Sequence, residues 1–271
     1  MGHKPFLVLA DSLTRKGVAV LRADDRGVGK STGEFSGATT ADFATDTEAG
    51  IAYLKTRPEI AKMIGLIGHS EGGVIAPMVA ARNPDVAFIV MLAGSGVPGE
   101  EIIVTQAELL TESAGKSHDE AMKAGAKQRK ILEIVKENAD DALMEKQLRE
   151  ELAGEMSEAQ VGALVQQLNL RWVRYFITYD PATALKKVTC PVLALNGAKD
   201  RQVPPKQNLP AIRKALEAGG NKNFEVDELP GLNHLFQTAK TGAPSEYPEI
   251  EETMSPGVLQ KIADWILKLQ H

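Results

Sequence analysis

Cysteine, basic charge and long apolar runs are scarce in this chain, and each absence excludes a class of protein. The 271 residues contain one cysteine, Cys190, which excludes an internal disulfide and a cysteine-rich metal site. The formal net charge is -5, so no basic field is present to attract nucleic acid. No apolar stretch approaches the ~20 residues of a membrane span. We therefore expect neither nucleic acid nor a membrane among the partners.

The beginning of the chain carries no targeting signal that we recognise. No signal peptide precedes "MGHKPFLVLADSL", which as written indicates a cytoplasmic protein. Longer relatives that are exported would change that expectation, so the compartment stays open. The chain is 43% hydrophobic, which is enough for one large core or for a core with a smaller subdomain.

The stretch "RADDRGVGKSTG" at residues 22–33 raises the question of nucleotide binding, because Gly29-Lys30-Ser31 is the ending of a phosphate-binding loop. Such a loop needs a glycine five residues before the Gly-Lys pair, where this chain has Asp24. It also needs a helix directly after the serine, whereas "TGEFSG" is typical of a turn. We interpret Lys30 as a solvated loop lysine and expect no nucleotide cofactor.

Apolar strands alternate with amphipathic helices along most of the chain, which is typical of a parallel sheet covered by helices on both faces. The predicted strands are 18–23, 63–68, 87–94, 190–197 and 223–230. The predicted helices are 4–16, Thr40 to about Thr56, 72–82, about Lys206 to Ala218, and 255–270.

Residues 97–180 interrupt this alternation. They contain helical patterns and no convincing strand, and they carry ten Lys/Arg against sixteen Asp/Glu. An insertion of this kind between two strands of the sheet predicts a helical cap. The predicted organisation is a core of residues 1–96 and 181–271 with a cap of residues 97–180.

The sequence Gly68-His69-Ser70-Glu71-Gly72 follows a predicted strand and precedes a predicted helix. This is the G-x-S-x-G pattern of a nucleophile elbow, a sharp turn that lifts a serine hydroxyl above the sheet. We expect side chains two positions before and two after the serine to collide with backbone, so that both positions need glycine. The strand–turn–helix context favours Ser70 as a nucleophile over a chance match in a glycine-rich chain.

A serine nucleophile needs a base, and the base needs a carboxylate to orient it. Asp200 follows the predicted strand 190–197, and His234 follows the predicted strand 223–230. His69 lies too close to Ser70 in sequence to face its hydroxyl easily, and the other histidines are near the termini or in the cap. Ser70, Asp200 and His234 are therefore the predicted triad, in the chain order of this fold.

With these residues in place, the chain resembles an α/β-hydrolase. The loop "DDRGVGKSTG" is similar to the D-x-R-G-x-G-x-S loop of many such enzymes, which shapes the floor near the site and holds no phosphate. The motifs "GHSEGG", "YDPATAL", "CPVLALNGAKDRQVP" and "LPGLNHLFQTAKTG" together resemble a group of bacterial carboxylesterases with a helical cap. The resemblance implies catalytic roles for Ser70, Asp200 and His234.

The chain departs from that family at its beginning, where the resemblance implies three further strands before the first helix. The loop after the third of those strands supplies one backbone N–H of the oxyanion hole, and the residue after the nucleophile, here Glu71, supplies the other. We expect a shortened chain whose strand 18–23 has an open edge and can pair with a second copy of the chain. The segment "GSGVPG" at residues 94–99 is an alternative source of the second N–H.

The predicted function is hydrolysis of small carboxylic esters by a serine enzyme that needs no metal or cofactor. Trp172, Tyr175 and Phe176 in the cap are candidate walls of the acyl pocket, although ordinary packing of cap on core explains them equally well. The alternatives are a peptidase or a dienelactone-type hydrolase of the same fold, or a hydrolase-fold protein without activity because the oxyanion loop is missing.

Overall fold

The computed structural model describes residues 2–60, 63–138 and 140–269. In these residues four strands form one parallel sheet, and their spatial order is their order in the chain. The strands are β1 (Ile64–His69), β2 (Val86–Leu92), β3 (Val192–Gly197) and β4 (Phe224–Leu229). All four were predicted from their apolar runs, and the structure confirms them with ends shifted by one or two residues.

Eleven α-helices are found within the described ranges, together with a 3-10 helix at Pro244–Glu249. Those of the core are α1 (Pro5–Thr14), α2 (Thr40–Lys55), α3 (Gly72–Ala80), α9 (Ala182–Leu185), α10 (Pro205–Ala218) and α11 (Pro256–Lys268). Those between β2 and β3 are α4 (Gly99–Ser113), α5 (His118–Glu137), α6 (Asp141–Glu151), α7 (Glu158–Leu168) and α8 (Arg171–Thr178). None of the helices described here combines the length and apolarity of a bilayer span.

Helices cover both faces of the sheet, as alternate residues of β2 show. Ile89 and Met91 pack into one buried cluster with residues of α2, α3 and α10. Phe88, Val90 and Leu92 pack into the other with residues of α1 and α11. Because side chains of a strand point alternately to opposite faces, this division is direct proof of a doubly covered sheet.

The helices α4–α8 have a hydrophobic cluster of their own, which includes Leu132, Met144, Leu148 and Val165. The chain leaves the sheet at the end of β2 and returns to it at β3, so these helices form a single insertion between neighbouring strands. We keep the name cap for residues 97–180 as an interpretation of this arrangement.

Residues 18–23 do not form the strand that their apolar sequence predicts. Val18 packs against the cluster under α1 and α11, but Val20 and Leu21 are 36% and 44% exposed. Within the described residues β1 pairs only with β2, and the segment 18–23 joins no ladder. An apolar run favours extended backbone, but a strand exists only where a neighbour accepts its hydrogen bonds. Association of two copies through residues 18–23, which was expected from a strand with an open edge, stays a prediction.

The N-terminus of α2 differs in one detail from the prediction. Thr39 is the capping residue and Thr40 is the first helical one. The Thr39 backbone N–H and hydroxyl both donate to the Asp42 carboxylate, which is the bond from the third helical residue back to the capping residue in a capping box. The side chain of Thr40 takes no part in this cap and can therefore bond to another partner.

Helix α1 allows a matched test of the core. Leu13 is 1% exposed and packs with α11, whereas Leu7 of the same helix is 46% exposed. We expect Leu13→Ala to lower the free energy of unfolding by about 2–5 kcal/mol through lost burial and a residual cavity. Leu7→Ala should change it by about 0.5 kcal/mol or less. Urea unfolding followed by circular dichroism measures both, and equal effects would contradict the packing described here.

Candidate active site

Ser70 lies in the turn between β1 and α3 and has φ 56°, a left-handed conformation that non-glycine residues rarely adopt. A Cβ on Gly68 would lie 1.8 Å from the Gly72 carbonyl oxygen, and one on Gly73 would lie 2.5 Å from the Gly94 Cα. The turn is therefore as tight as the sequence predicts. Strain of this kind persists only where the surroundings enforce it, and it is frequent at functional sites.

One of the two glycines predicted to be essential is not. A Cβ on Gly72, two positions after Ser70, would meet no atom within 4 Å. The constraint falls instead on Gly73, because helix α3 crosses the backbone that follows β2 at that residue. The prediction for Gly68 agrees with the structure, and the prediction for Gly72 is wrong.

Asp200 and His234 meet although they are 34 positions apart in sequence. The His234 Nδ1–H donates to Asp200 Oδ2 over 2.8 Å, and both side chains are buried. Asp200 Oδ1 accepts two more hydrogen bonds, from the backbone N–H groups of Gln202 at 2.8 Å and Val203 at 2.9 Å. The carboxylate is thus fully satisfied, and its orientation leaves Nε2 of the imidazole for other partners.

The loops that carry this pair are held together by groups that sequence reasoning did not identify. A Cβ on Gly197 would lie 2.3 Å from the Leu232 carbonyl oxygen, so glycine allows the two loops to touch. The ammonium group of Lys199 donates to the Ala239 carbonyl over 2.6 Å. Arg201 Nε donates to the Thr241 carbonyl over 2.9 Å. The two residues that flank Asp200 therefore bind the segment that follows His234.

Asn233, directly before His234, shapes the loop from inside. Its side-chain oxygen accepts from the backbone N–H groups of Leu235 and Gln237, both at 3.0 Å, and its amide donates to the Gln237 side chain. Asparagine bonds of this type replace backbone–backbone bonds in tight turns. The asparagine in "PGLNHLF" is the signal in the sequence that indicates this turn.

His69, which the sequence argues against as the base, lies directly against His234. Its Nε2–H donates to the His234 carbonyl oxygen over 2.8 Å, and the two rings lie 4.7 Å apart between centroids. Phe6 of α1 packs edge-on against the His69 ring. Burial, followed by the neighbouring His234, lowers the pKa of His69 to about 4, so the ring is neutral at pH 7. His69 thus supports the loop of His234 through a hydrogen bond and a contact between the two rings.

Ser70 directly follows His69 in the chain, and the His69 ring lies 4.7 Å from the His234 ring between centroids, so the backbone that carries Ser70 runs close to the loop of His234. No hydrogen bond joins the Ser70 hydroxyl to another described residue. The hydrogen bond between a nucleophile and its base is often long before substrate binds. The Ser70 backbone N–H donates to the Leu92 carbonyl over 2.8 Å, which fixes the residue against β2.

The Glu71 N–H is one expected oxyanion donor, and within the described residues it makes no hydrogen bond. Residues 94–99 are the alternative source of the second donor, but part of this segment already makes other hydrogen bonds. The Gly96 N–H donates to Asn208 Oδ1 over 2.9 Å, and the Glu101 N–H that follows the segment donates to the Pro98 carbonyl. The second donor therefore stays an open part of the prediction.

The three cap residues predicted as pocket walls lie on α8 but differ in their surroundings. Trp172 reaches the elbow, where its Nε1–H donates to Glu71 Oε1 over 2.6 Å. Phe176 stacks on Trp172 with 5.0 Å between centroids. Tyr175 instead stacks on Tyr179 and packs against the core cluster under α3. Trp172 is therefore placed beside the elbow, while Tyr175 serves the contact between cap and core.

The loop of the opening motif folds onto α2. Arg26 donates to both carboxylate oxygens of Asp46 at 2.7 Å, and the Ser31 hydroxyl donates to the Asp24 carbonyl. The next helix after Ser31 is α2, which begins at Thr40, so the structure lacks the helix that a phosphate-binding loop requires. In the described part of the chain no three His, Cys, Asp or Glu side chains cluster as metal ligands.

Comparison with known proteins identifies the family to which the chain belongs. A parallel sheet, a strained serine between strand and helix, and an Asp–His pair on the two following loops define an α/β-hydrolase fold. The chain belongs to the family described as serine aminopeptidase, S33, which matches residues 4–238. It is also 26% identical over 270 residues to esterase EstD of Thermotoga maritima, covering 98% of this chain and 57% of that protein. The chain thus spans a little over half the length of this relative.

Solved structures support the same fold. Est1E of Butyrivibrio proteoclasticus with ferulic acid bound aligns with a TM-score of 0.55 at 20% identity, covering 99% of this chain and 84% of that one. The esterase PF2001 of Pyrococcus furiosus aligns with a TM-score of 0.56 at 15% identity, covering 98% and 75%. At these identities the likeness concerns the fold alone.

His69 gives the stability of the fold a pH dependence of defined sign. The unfolded chain protonates His69 near pH 6.5 and the folded chain only near pH 4, so acid favours unfolding between those values. The loss is on the order of 2 kcal/mol after allowance for partial exposure. We expect His69→Gln, which keeps an N–H donor for the His234 carbonyl, to lose this part of the acid sensitivity.

The measurement is urea unfolding at about pH 7.5 and about pH 4.5, compared between variants. His118→Gln is the control, because Glu112 raises the pKa of His118 at this exposed position of the cap. Its linkage to pH has the opposite sign, so this variant should lose at least as much free energy as the parent between the two pH values. The account of His69 is wrong if His69→Gln and the parent lose the same free energy between the two pH values.

Proposed function

We propose that this chain is a serine hydrolase that cleaves small carboxylic esters through Ser70, His234 and Asp200. The observation that carries the proposal is the joint geometry of the strained Ser70 and the buried pair of His234 and Asp200. The similarity to esterase EstD along 98% of the chain supports an ester rather than another acyl substrate.

The geometry suggests the order of events. The Ser70 hydroxyl attacks the ester carbonyl while Nε2 of His234 accepts its proton. The Glu71 backbone N–H, which no described group occupies, donates to the oxygen that becomes negative. His234 then returns the proton to the leaving alcohol, and an acyl group stays on Ser70. A water molecule, deprotonated by the same imidazole, releases the acid and restores the serine.

Asp200 acts through His234 in this scheme. Its carboxylate accepts the Nδ1–H, which fixes the tautomer with Nε2 free to accept a proton, and it stabilises the imidazolium that follows. The backbone N–H groups of Gln202 and Val203 hold the carboxylate in place without neutralising its charge. The pair is therefore pre-organised before substrate arrives.

A second candidate is cleavage of aminoacyl amides, which the description of the family favours. The chemistry of Ser70 and His234 is the same for an amide, so only the leaving group separates the two. The dienelactone-type alternative is disfavoured because that variant normally has cysteine in the elbow, where this chain has serine. A hydrolase fold without activity is the third alternative.

Ser70→Ala should abolish hydrolysis and leave the fold intact, because the hydroxyl bonds to no other described group. We expect kcat for p-nitrophenyl acetate to fall by about 10⁴–10⁶-fold. Ser36→Ala, at an exposed position in a loop before α2, is the matched control. A fluorophosphonate that labels the parent and the control but not Ser70→Ala would exclude the inactive alternative. Retention of more than about a tenth of the parent rate would show that Ser70 is not the nucleophile.

The choice between ester and amide is a direct comparison of substrates. We expect the parent to hydrolyse p-nitrophenyl esters from acetate to octanoate at least about 10³-fold faster, in kcat/KM, than alanine or proline p-nitroanilide, a difference that corresponds to about 4 kcal/mol. Ser70→Ala measured with each substrate removes the contribution of contaminating enzymes. A higher kcat/KM for an anilide than for every ester would assign the chain to the aminopeptidases.

A further inference from the structure

Glu71 carries two groups that matter at the elbow, and only its backbone N–H has a role in the proposed chemistry. Its carboxylate lies between the core and the cap. Oε1 accepts a hydrogen bond from the Thr40 hydroxyl of α2 and another from the Trp172 Nε1–H of α8, each 2.6 Å long. The residue after the nucleophile is therefore bonded to the first turn of a core helix and to the last helix of the cap.

Both donors to this carboxylate are neutral. Among the described residues no Lys, Arg or His forms an ion pair with Glu71. A partly buried carboxylate that has no cation is stabilised by its hydrogen bonds, and bonds to a charged acceptor are about twice as strong as neutral ones. The N-terminus of α2, where Thr40 is the first residue, also favours a negative charge. The contact of Glu71 with Trp172 is thus a strong one.

Trp172 is fixed on its other side by the cap itself. Its ring stacks on Phe176 with 5.0 Å between centroids and an angle of 6°. Phe176 in turn packs against Gly99 at the start of α4, where an added Cβ would lie 2.5 Å from the ring. The indole of Trp172, on the last cap helix, therefore contacts the elbow through Glu71 and the first cap helix through Phe176.

We propose that Glu71 is a positioning residue that holds Trp172, and with it the base of the cap, against the nucleophile elbow. In this arrangement Trp172 is a fixed wall of the acyl-binding space next to Ser70. The contact itself does not depend on the chemistry, whereas its kinetic consequence rests on the proposed function. The carboxylate acts through Trp172 and does not touch the reacting atoms.

The kinetic consequence has a characteristic form. A wall that contacts the acyl chain contributes equally to binding of the substrate and of the transition state, so its loss raises KM more than it lowers kcat. Damage to the elbow would instead misplace Ser70 or the Glu71 N–H and lower kcat for every ester. The division between KM and kcat therefore separates a role in positioning the cap from a role in holding the elbow.

The contact is tested first without any substrate. The chain has two tryptophans, Trp172 and Trp265, and Trp265 packs against Phe88 in the core. In a Trp265→Phe background, acrylamide quenching of fluorescence reports on Trp172 alone. We expect Glu71→Ala to raise the quenching constant about threefold, because the indole loses its partner and the cap base loosens. Thr40→Val, which keeps the bond to Trp172, should resemble the parent. An unchanged constant in Glu71→Ala overturns the proposal.

The second test is a double-mutant cycle on the hydrolysis of p-nitrophenyl butyrate. Trp172→Phe keeps the ring on Phe176 and removes the N–H, so it does not require a rearranged cap. We expect Glu71→Ala and Trp172→Phe each to raise KM about fivefold, Glu71→Gln to restore most of the loss, and the double variant to be no worse than the poorer single one. Multiplication of the two effects, or a loss in kcat that exceeds the loss in KM, overturns the proposal.

The two tests also separate this proposal from the proposed function. If the parent hydrolyses no ester, the proposed function fails, and the quenching experiment still decides whether Glu71 holds Trp172. If the parent is an active esterase and the quenching of Trp172 does not respond to Glu71→Ala, the positioning role fails and the function stands.

Discussion

The close approach of three backbone segments around Ser70 is the constraint on which the site depends. Helix α3 can begin directly behind β1 only because Gly68 leaves room for the Gly72 carbonyl, and it can pass the end of β2 only because Gly73 and Gly94 lack side chains. Ser70 is held at a positive φ by this crowding and by its bond to the Leu92 carbonyl. The same geometry leaves the Glu71 N–H, directly before α3, without a hydrogen-bond partner among the described residues. Strain at one residue thus provides both an accessible hydroxyl and a donor beside it.

Two carboxylates, Asp200 and Glu71, are held by hydrogen bonds and not by a lysine or arginine among the described residues. Asp200 is bonded by two backbone N–H groups and by His234, and Glu71 by a hydroxyl and an indole. The cations next to Asp200 in the chain, Lys199 and Arg201, bind carbonyl oxygens of the neighbouring loop instead. A guanidinium or ammonium in contact with Asp200 would compete with the imidazole for its charge. The structure therefore keeps the effect of that carboxylate directed at the histidine.

Much of this could be predicted from the sequence, and the exceptions have physical reasons. Buried parallel strands are continuous apolar runs, so β1–β4 were recognisable, and their order along the chain put Asp200 and His234 on neighbouring loops. The apolar run at residues 18–23 resembles those of β1–β4. A strand forms there only if a neighbouring strand accepts its hydrogen bonds, and the local sequence does not specify that neighbour. The closeness of His69 to Ser70 in sequence argues against it as the base, but sequence alone does not show its contact with the carbonyl of His234, a residue far along the chain. The bond from Trp172 to Glu71 exists only because the cap returns to the elbow.

The way in which Lys199 and Arg201 hold the loop after β4 has a consequence for how the sequence can vary. Both side chains bind main-chain oxygens of residues 239–241, and none of their bonds to this segment uses a side chain there. Carbonyl oxygens are the same in every amino acid, so these contacts of Lys199 and Arg201 do not depend on which side chains occupy the three positions. An exposed position among them, Lys240, can therefore be exchanged, which alters the chemistry of the surface around the histidine loop while the contacts that hold the loop persist.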